Sequence, residues 1–214
     1  AFMELLGMGS KASRALSVII ISEGDEILRR NILNQMGAGV NVIISDLILD
    51  GNWADAEKIL ESALTGENDA AVEDAAFCML VTDLVPKLEK RDRKKEADKI
   101  FSKIFDFYQK VCTDNPPSAS CHNNLAWMAV VCRRQMEQSL AHSQKAVELE
   151  PDNPAFLDTL AEIRFQRKET AQAIELMNQC IKLAPKMEYF RKQLKRFESG
   201  DPSAERPDEN GGFD

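Results

Sequence analysis

Apolar residues recur every three or four positions along most of this chain, and that spacing limits the fold more than any other feature. Ala56, Ile59, Leu60, Ala63 and Leu64 fall at i, i+3, i+4, i+7 and i+8. Ala97, Ile100, Phe101, Ile104 and Phe105 repeat the pattern, which continues through Tyr108 and Cys112. Ala173, Ile174, Met177, Cys180 and Ile181 form a third stripe. Each stripe is one face of an α-helix. No stretch of similar length alternates with period two, so the spacing predicts an all-α chain.

The breaks between stripes are helix punctuation. "DGNW" (50–53) reads as a tight turn, and "TDNPPS" (113–118) as a second break. In "EPDNP" (150–154), Asn153 is the expected N-cap and Pro154 the first helical residue. Pro86 lies inside an apolar stretch and should kink that helix or end it early. "YFRKQLKRF" (189–197) puts Phe190, Leu194 and Phe197 on one face. Arg191, Lys192, Lys195 and Arg196 surround the other, which suits a last helix covering the end of a stack. Residues 199–214 are polar, Gly/Pro-rich and aperiodic, and are read as disordered.

Charge and hydropathy exclude several roles. The net charge of −8 leaves no basic excess to displace counterions from phosphates, which argues against nucleic acid and anionic membrane surfaces. "LSVIII" (16–21) and "VNVIISDLIL" (40–49) fall well short of the roughly 20 apolar residues that span a bilayer. The chain starts "AFMELL", without Met or a signal peptide, and is expected to be a piece of a longer protein. Its five Cys (78, 112, 121, 132 and 180) are odd in number and irregular in spacing. That argues against a disulfide framework and for a reducing, cytoplasmic compartment.

The stretch "SCHNNLAWM" (120–128) invites a chemical reading. Cys121 and His122 are neighbours on a predicted helix, however. Their side chains diverge by about 100° and cannot work as a nucleophile–base pair. Cys112, Cys121, His122, Cys132 and His142 offer metal-ligand atoms, but no spacing matches the usual zinc pairs of two to five intervening residues. "GMGSK" (7–11) has the wrong order for a phosphate loop and reads as an inter-helix turn. "KLEKRDRKKEADK" (87–99) mixes acids among its bases and reads as a solvated, salt-bridged helix pair. No catalytic constellation, metal site or cofactor is therefore expected, and the chain is read as a non-enzyme.

Pro151 and Pro185 stand 34 residues apart and bracket a helix–turn–helix pattern. Within it, Leu157, Leu160 and Ala161 hold first-helix packing positions, and Ala173, Met177 and Cys180 hold those of the second helix. The unit before it repeats this with Leu125, Ala126, Ser139, Ser143 and Ala146, and "GNWADAEKIL" offers a further match around Gly51, Asn52 and Trp53. This pattern resembles the tetratricopeptide repeat, TPR. The second-helix small positions Ala15, Ala56, Ala97, Ser139 and Ala173 are spaced 41, 41, 42 and 34. Only the last spacing matches the family, and the longer ones imply longer helices, or an extra turn of helix in 24–35 and 68–77.

The resemblance implies a right-handed α-α superhelix, a solenoid of helical hairpins with a C-terminal capping helix. It divides the chain into one repeat domain over 1–198: a partial unit at 1–22, hairpins at 24–65, 68–113, 118–150 and 154–185, and a cap at 186–198. It also implies a binding groove lined by first helices. Carried over position by position, that groove holds Asn123, Asn124, Trp127 and Val131 from one unit, and Asp158, Thr159, Glu162, Phe165 and Gln166 from the next. Asn124 stands where peptide-binding TPR domains often hold a ligand's backbone amide. Asp158 and Glu162 replace the basic residues of the family's carboxylate clamp, which disfavours an acidic C-terminal peptide. The alternative for Asn123 and Asn124 is helix capping, and for Trp127 core packing. The implied function is a protein-interaction scaffold in a larger bacterial protein, with a protein or peptide partner. The alternative is self-association as a homo-oligomer, or docking of the protein's own domains.

Overall fold

A computed structural model describes residues 17–18, 20–22, 24, 32, 39–64, 76–204 and 206–207. The described helices with defined bounds are α1 (Gly39–Leu49), α2 (Trp53–Leu64), α3 (Ala76–Glu89), α4 (Lys94–Asp114), α5 (Ala119–Val131), α6 (Met136–Leu149), α7 (Pro154–Gln166), α8 (Thr170–Leu183) and α9 (Glu188–Ser199). Among the described residues there is no strand. The expected partial unit at 1–22 and the extra turns in 24–35 and 68–77 lie almost wholly outside them. The chain packs as two compact units, residues 1–107 and 108–214, where the sequence suggests one domain over 1–198.

In the first unit, α1 and α2 form a hairpin whose turn depends on Gly51. Its φ of +84° is open to glycine at little cost. That turn lets Gly51 N donate to Ile48 O at 3.0 Å and Asn52 N donate to Leu47 O at 2.8 Å, closing the end of α1. Ile43, Ile44, Leu47, Ile48, Ile59 and Leu60 are fully buried. Pro86 does not stop α3 at once; the helix runs three residues further, to Glu89. Arg93 then donates to Ile48 O at 2.6 Å and Leu49 O at 2.9 Å, satisfying carbonyls at the end of α1. Among the bases of 87–99, Lys87 pairs with Asp83 one turn away and Arg93 with Glu96, whereas Lys99 pairs with Glu57 on α2.

In the second unit, α5/α6 and α7/α8 are hairpins, α7 packs on both helices of the preceding hairpin, and α9 packs on α8. The predicted cap at Asn153 forms, its side chain accepting from Ala155 N at 3.1 Å ahead of Pro154. Ser118 caps α5 by accepting from Cys121 N at 3.2 Å. The small residues do what the repeat pattern requires. Ala126, Ser139, Ser143 and Ala146 are buried, and Ser139 Oγ donates to Ala126 O at 2.9 Å across the hairpin.

The cap differs from expectation in one residue. Phe190 and Phe197 bury as predicted, but Arg196 also turns inward and is only 8% exposed. An acid waits for it there. The tail also differs from its composition. Gly200 closes α9 with φ +72°, Arg196 Nε donates to Ala204 O at 2.8 Å, and Arg206 donates to Tyr189 Oη at 3.0 Å. Residues 205 and 208–214 lie outside the described residues.

Candidate functional site

The expected groove divides into two parts of different character. On α5, Asn123, Asn124, Trp127 and Val131 are half-buried. The cap of this helix is Ser118, so Asn123 and Asn124 lie beyond the capping position. Asn123 Oδ1 is buried and accepts no hydrogen bond from any described residue. Val131 packs beside Ala126, Val130 and Ile163.

On α7, Asp158, Thr159, Glu162 and Phe165 are buried, and Gln166 is half-buried. Thr159 donates to Ala155 O at 3.1 Å within its own helix. Asp158, Glu162 and Phe165 meet the chain's own last helix. Tyr189 Oη donates to Asp158 Oδ2 at 3.0 Å, and Arg196 donates to both oxygens of Glu162, at 2.6 and 3.1 Å. Gln193 Nε2 reaches both acids, and Gln166 Nε2 donates to Glu162 Oε1 at 2.9 Å. Phe165 packs against Phe197 in a tilted pair with ring centroids 4.6 Å apart, under the Arg196 guanidinium. Arg206 stands 3.9 Å from each carboxylate.

Two buried acids side by side titrate differently. Burial pushes the Asp158 carboxyl up to about 6, and the Glu162 charge adds to this, although Arg206 and the Tyr189 and Gln193 hydrogen bonds oppose it. Burial also acts on Glu162, but the Arg196 hydrogen bonds and the nearby Arg206 charge outweigh it and hold Glu162 below the usual carboxylate range. Burial and the Asp158 charge push the Cys180 thiol up to about 12, which leaves it protonated and a poor nucleophile.

A second cluster lies at the junction of α4, α5 and α6. Cys112 in the last turns of α4 and Cys121 in the first turn of α5 are joined as a disulfide, with Cα atoms 5.6 Å apart. This corrects the expectation of unpaired cysteines. The turn at 115–118 folds one helix end against the next start, and irregular spacing along the sequence says nothing of that distance. The reducing compartment inferred from unpaired cysteines loses its premise. Cys78, Cys132 and Cys180 are buried and take no part in the disulfide. No described helix is long and apolar enough to cross a membrane.

Beside the disulfide, His122 Nδ1 and His142 Nδ1 are 2.8 Å apart, and His122 Nε2 is 3.1 Å from Pro116 O. A carbonyl can only accept, so the hydrogen-bond partners assign the His122 proton to Nε2. Its Nδ1 lone pair then faces His142. Burial, and then the neighbouring His122, lower the pKa of the His142 ring. Ligand atoms of Cys112, His122 and His142 all lie within 4.8 Å of one another.

Nothing local in the sequence marks Tyr189, Gln193 and Arg196 of the last helix, or Arg206 after it, as partners of buried acids on α7. Spacing alone sets the Cys/His cluster aside. The usable signal was a Cys on each side of a predicted short turn, the second followed by His.

No family model matches the chain, and no curated protein matches it. In structure it is similar to a thermophilic TPR protein of Thermus thermophilus. The match has a TM-score of 0.51 and 14% identity, and covers 90% of this chain and 98% of the other. The fold is therefore TPR-like, as the repeat pattern implies.

Proposed function

We propose that this TPR-like chain is a non-catalytic interaction module that takes a segment of a partner protein on the α5 face carrying Asn123, Asn124, Trp127 and Val131. The observation that carries this reading is Asn123 Oδ1, a buried acceptor with no described donor. Such an atom costs about 1–3 kcal/mol while it stays unmade. Rotated toward the face, the Asn123 side chain would accept from a backbone N–H of an extended segment, and the adjacent Asn124 can both donate and accept. The half-buried Trp127 offers a flat apolar contact beside them. On α7, Asp158, Glu162 and Phe165 are engaged by the chain's own α9, and Arg206 stands beside the two acids. There the favoured reading is intramolecular docking.

A displayed library of random peptides selected on the full chain tests the proposal. Enriched peptides should lose at least about tenfold in affinity on Asn124→Ala and on Asn123→Ala. Selection that enriches nothing, or peptides indifferent to both substitutions, would sink the α5 face as a binding site.

A further inference from the structure

We propose that Cys112, Cys121, His122 and His142 form a tetrahedral site for a borderline-soft divalent cation such as zinc, open when the Cys112–Cys121 disulfide is reduced. The disulfide and the metal site are two states of the same four side chains.

The geometry fits this donor set. Three ligand atoms, from Cys112, His122 and His142, already lie within 4.8 Å of one another. In a tetrahedral zinc site, metal–sulfur bonds of about 2.3 Å and metal–nitrogen bonds of about 2.0–2.1 Å place ligand atoms roughly 3.3–3.8 Å apart. The two histidine nitrogens, now 2.8 Å apart, need to separate by only about 0.5 Å to reach that spacing. The Cys121 sulfur starts bonded to that of Cys112 and has to open to roughly 3.8 Å.

His122 is held in the tautomer a metal requires. Pro116 O accepts a hydrogen bond from Nε2–H and leaves the Nδ1 lone pair directed into the cluster, the outer hydrogen bond that orients a ligating histidine. Without a metal, that lone pair can do no better than a hydrogen bond from the second ring. Three of the four residues are buried, while His142 is half-buried and gives a route in. The ligands come from the end of α4, the start of α5 and the middle of α6, so binding would tie three helices together.

The chemistry balances with a dithiol reductant. Two electrons and two protons convert the disulfide to the Cys112 and Cys121 thiols, while the reductant leaves as its own disulfide. The cation then binds both sulfurs as thiolates and releases two protons to solvent.

Cobalt(II), a spectroscopic stand-in for zinc, tests this on the full chain. The chain is reduced with a dithiol, freed of reductant without air and titrated with cobalt. The expected result is one ion per chain, with tetrahedral visible bands and thiolate-to-metal absorption, all displaced by zinc. The oxidised chain should take up none. Cys112→Ser and His142→Gln should each weaken binding by more than about tenfold. A reduced chain without these bands overturns the proposal. So does equal uptake by the oxidised chain, which needs no variant to fold, or a spectrum that persists unchanged in both variants.

Discussion

Arg196 and Glu162 form an ion pair in which almost nothing is exposed: the arginine side chain is 5% accessible and the glutamate 0%. Two guanidinium nitrogens meet both carboxylate oxygens, at 2.6 and 3.1 Å. Such a pair is expensive to break rather than valuable to have. Arg196→Met should lower unfolding free energy by about 3–5 kcal/mol, because it leaves Glu162 buried without its main partner. Replacing both residues, Arg196→Met with Glu162→Leu, should recover much of that loss. Urea denaturation of the two variants checks this; equal losses would mean the pair is not coupled.

Asp158 gives the second unit a pH signature of unusual sign. Its folded value of about 6 lies above the ordinary 3.8. Its contribution is therefore fully present below about pH 4 and is lost as pH rises through about 6. Asp158→Asn, which mimics the protonated acid, should gain stability relative to the parent between those limits, by on the order of 1–3 kcal/mol. Glu162 runs the other way, stabilising above its ordinary 4.5 and less so in acid. Thermal melts of both chains at pH 4, 5, 6 and 7 separate the contributions. Parallel curves would contradict the Asp158 assignment.

The Cys112–Cys121 bridge closes a short loop, with nine residues of sequence separation. Loop-closure entropy for that length corresponds to about 2–3 kcal/mol. Reduction in the presence of a strong chelator should lower stability by that amount. An unchanged denaturation midpoint would show that the bridge restrains nothing in the unfolded chain.

Asn123→Ala should leave the chain as stable as before or up to about 1 kcal/mol more so, because it removes an unsatisfied buried acceptor. Such a gain alongside weaker peptide binding is the trade-off expected of a position held for recognition. A loss of about 2 kcal/mol or more by denaturation would instead mark Asn123 as a packing residue.

What the sequence revealed and what it hid divide on range. The stripe from Ala97 to Cys112, the cap at Asn153 and the turn at Gly51 depend on neighbours within a few residues, and all three appear as read. The inward turn of Arg196 depends on Glu162, 34 residues away, and its own heptad neighbours argue for the surface. The meeting of Cys112, His122 and His142 depends on how the end of α4 and the start of α5 pack against the middle of α6. Spacing rules for zinc pairs describe ligands within one turn or hairpin, and these ligands come from three helices. On the candidate groove, the resemblance supplied positions on α5 and α7 alike. Only the packing of α9 distinguishes a face left half-buried from one the chain covers itself.

The acids under α9 also govern what can be built onto α8. A further hairpin grafted after Leu183 would take the place of α9 and inherit two buried carboxylates. It could seat only if it brought its own guanidinium and phenol in the same register, or if Asp158 and Glu162 were exchanged together. The last packed helix is thus matched to its support by charge as well as by shape, and an ordinary repeat could not be substituted for it one residue at a time.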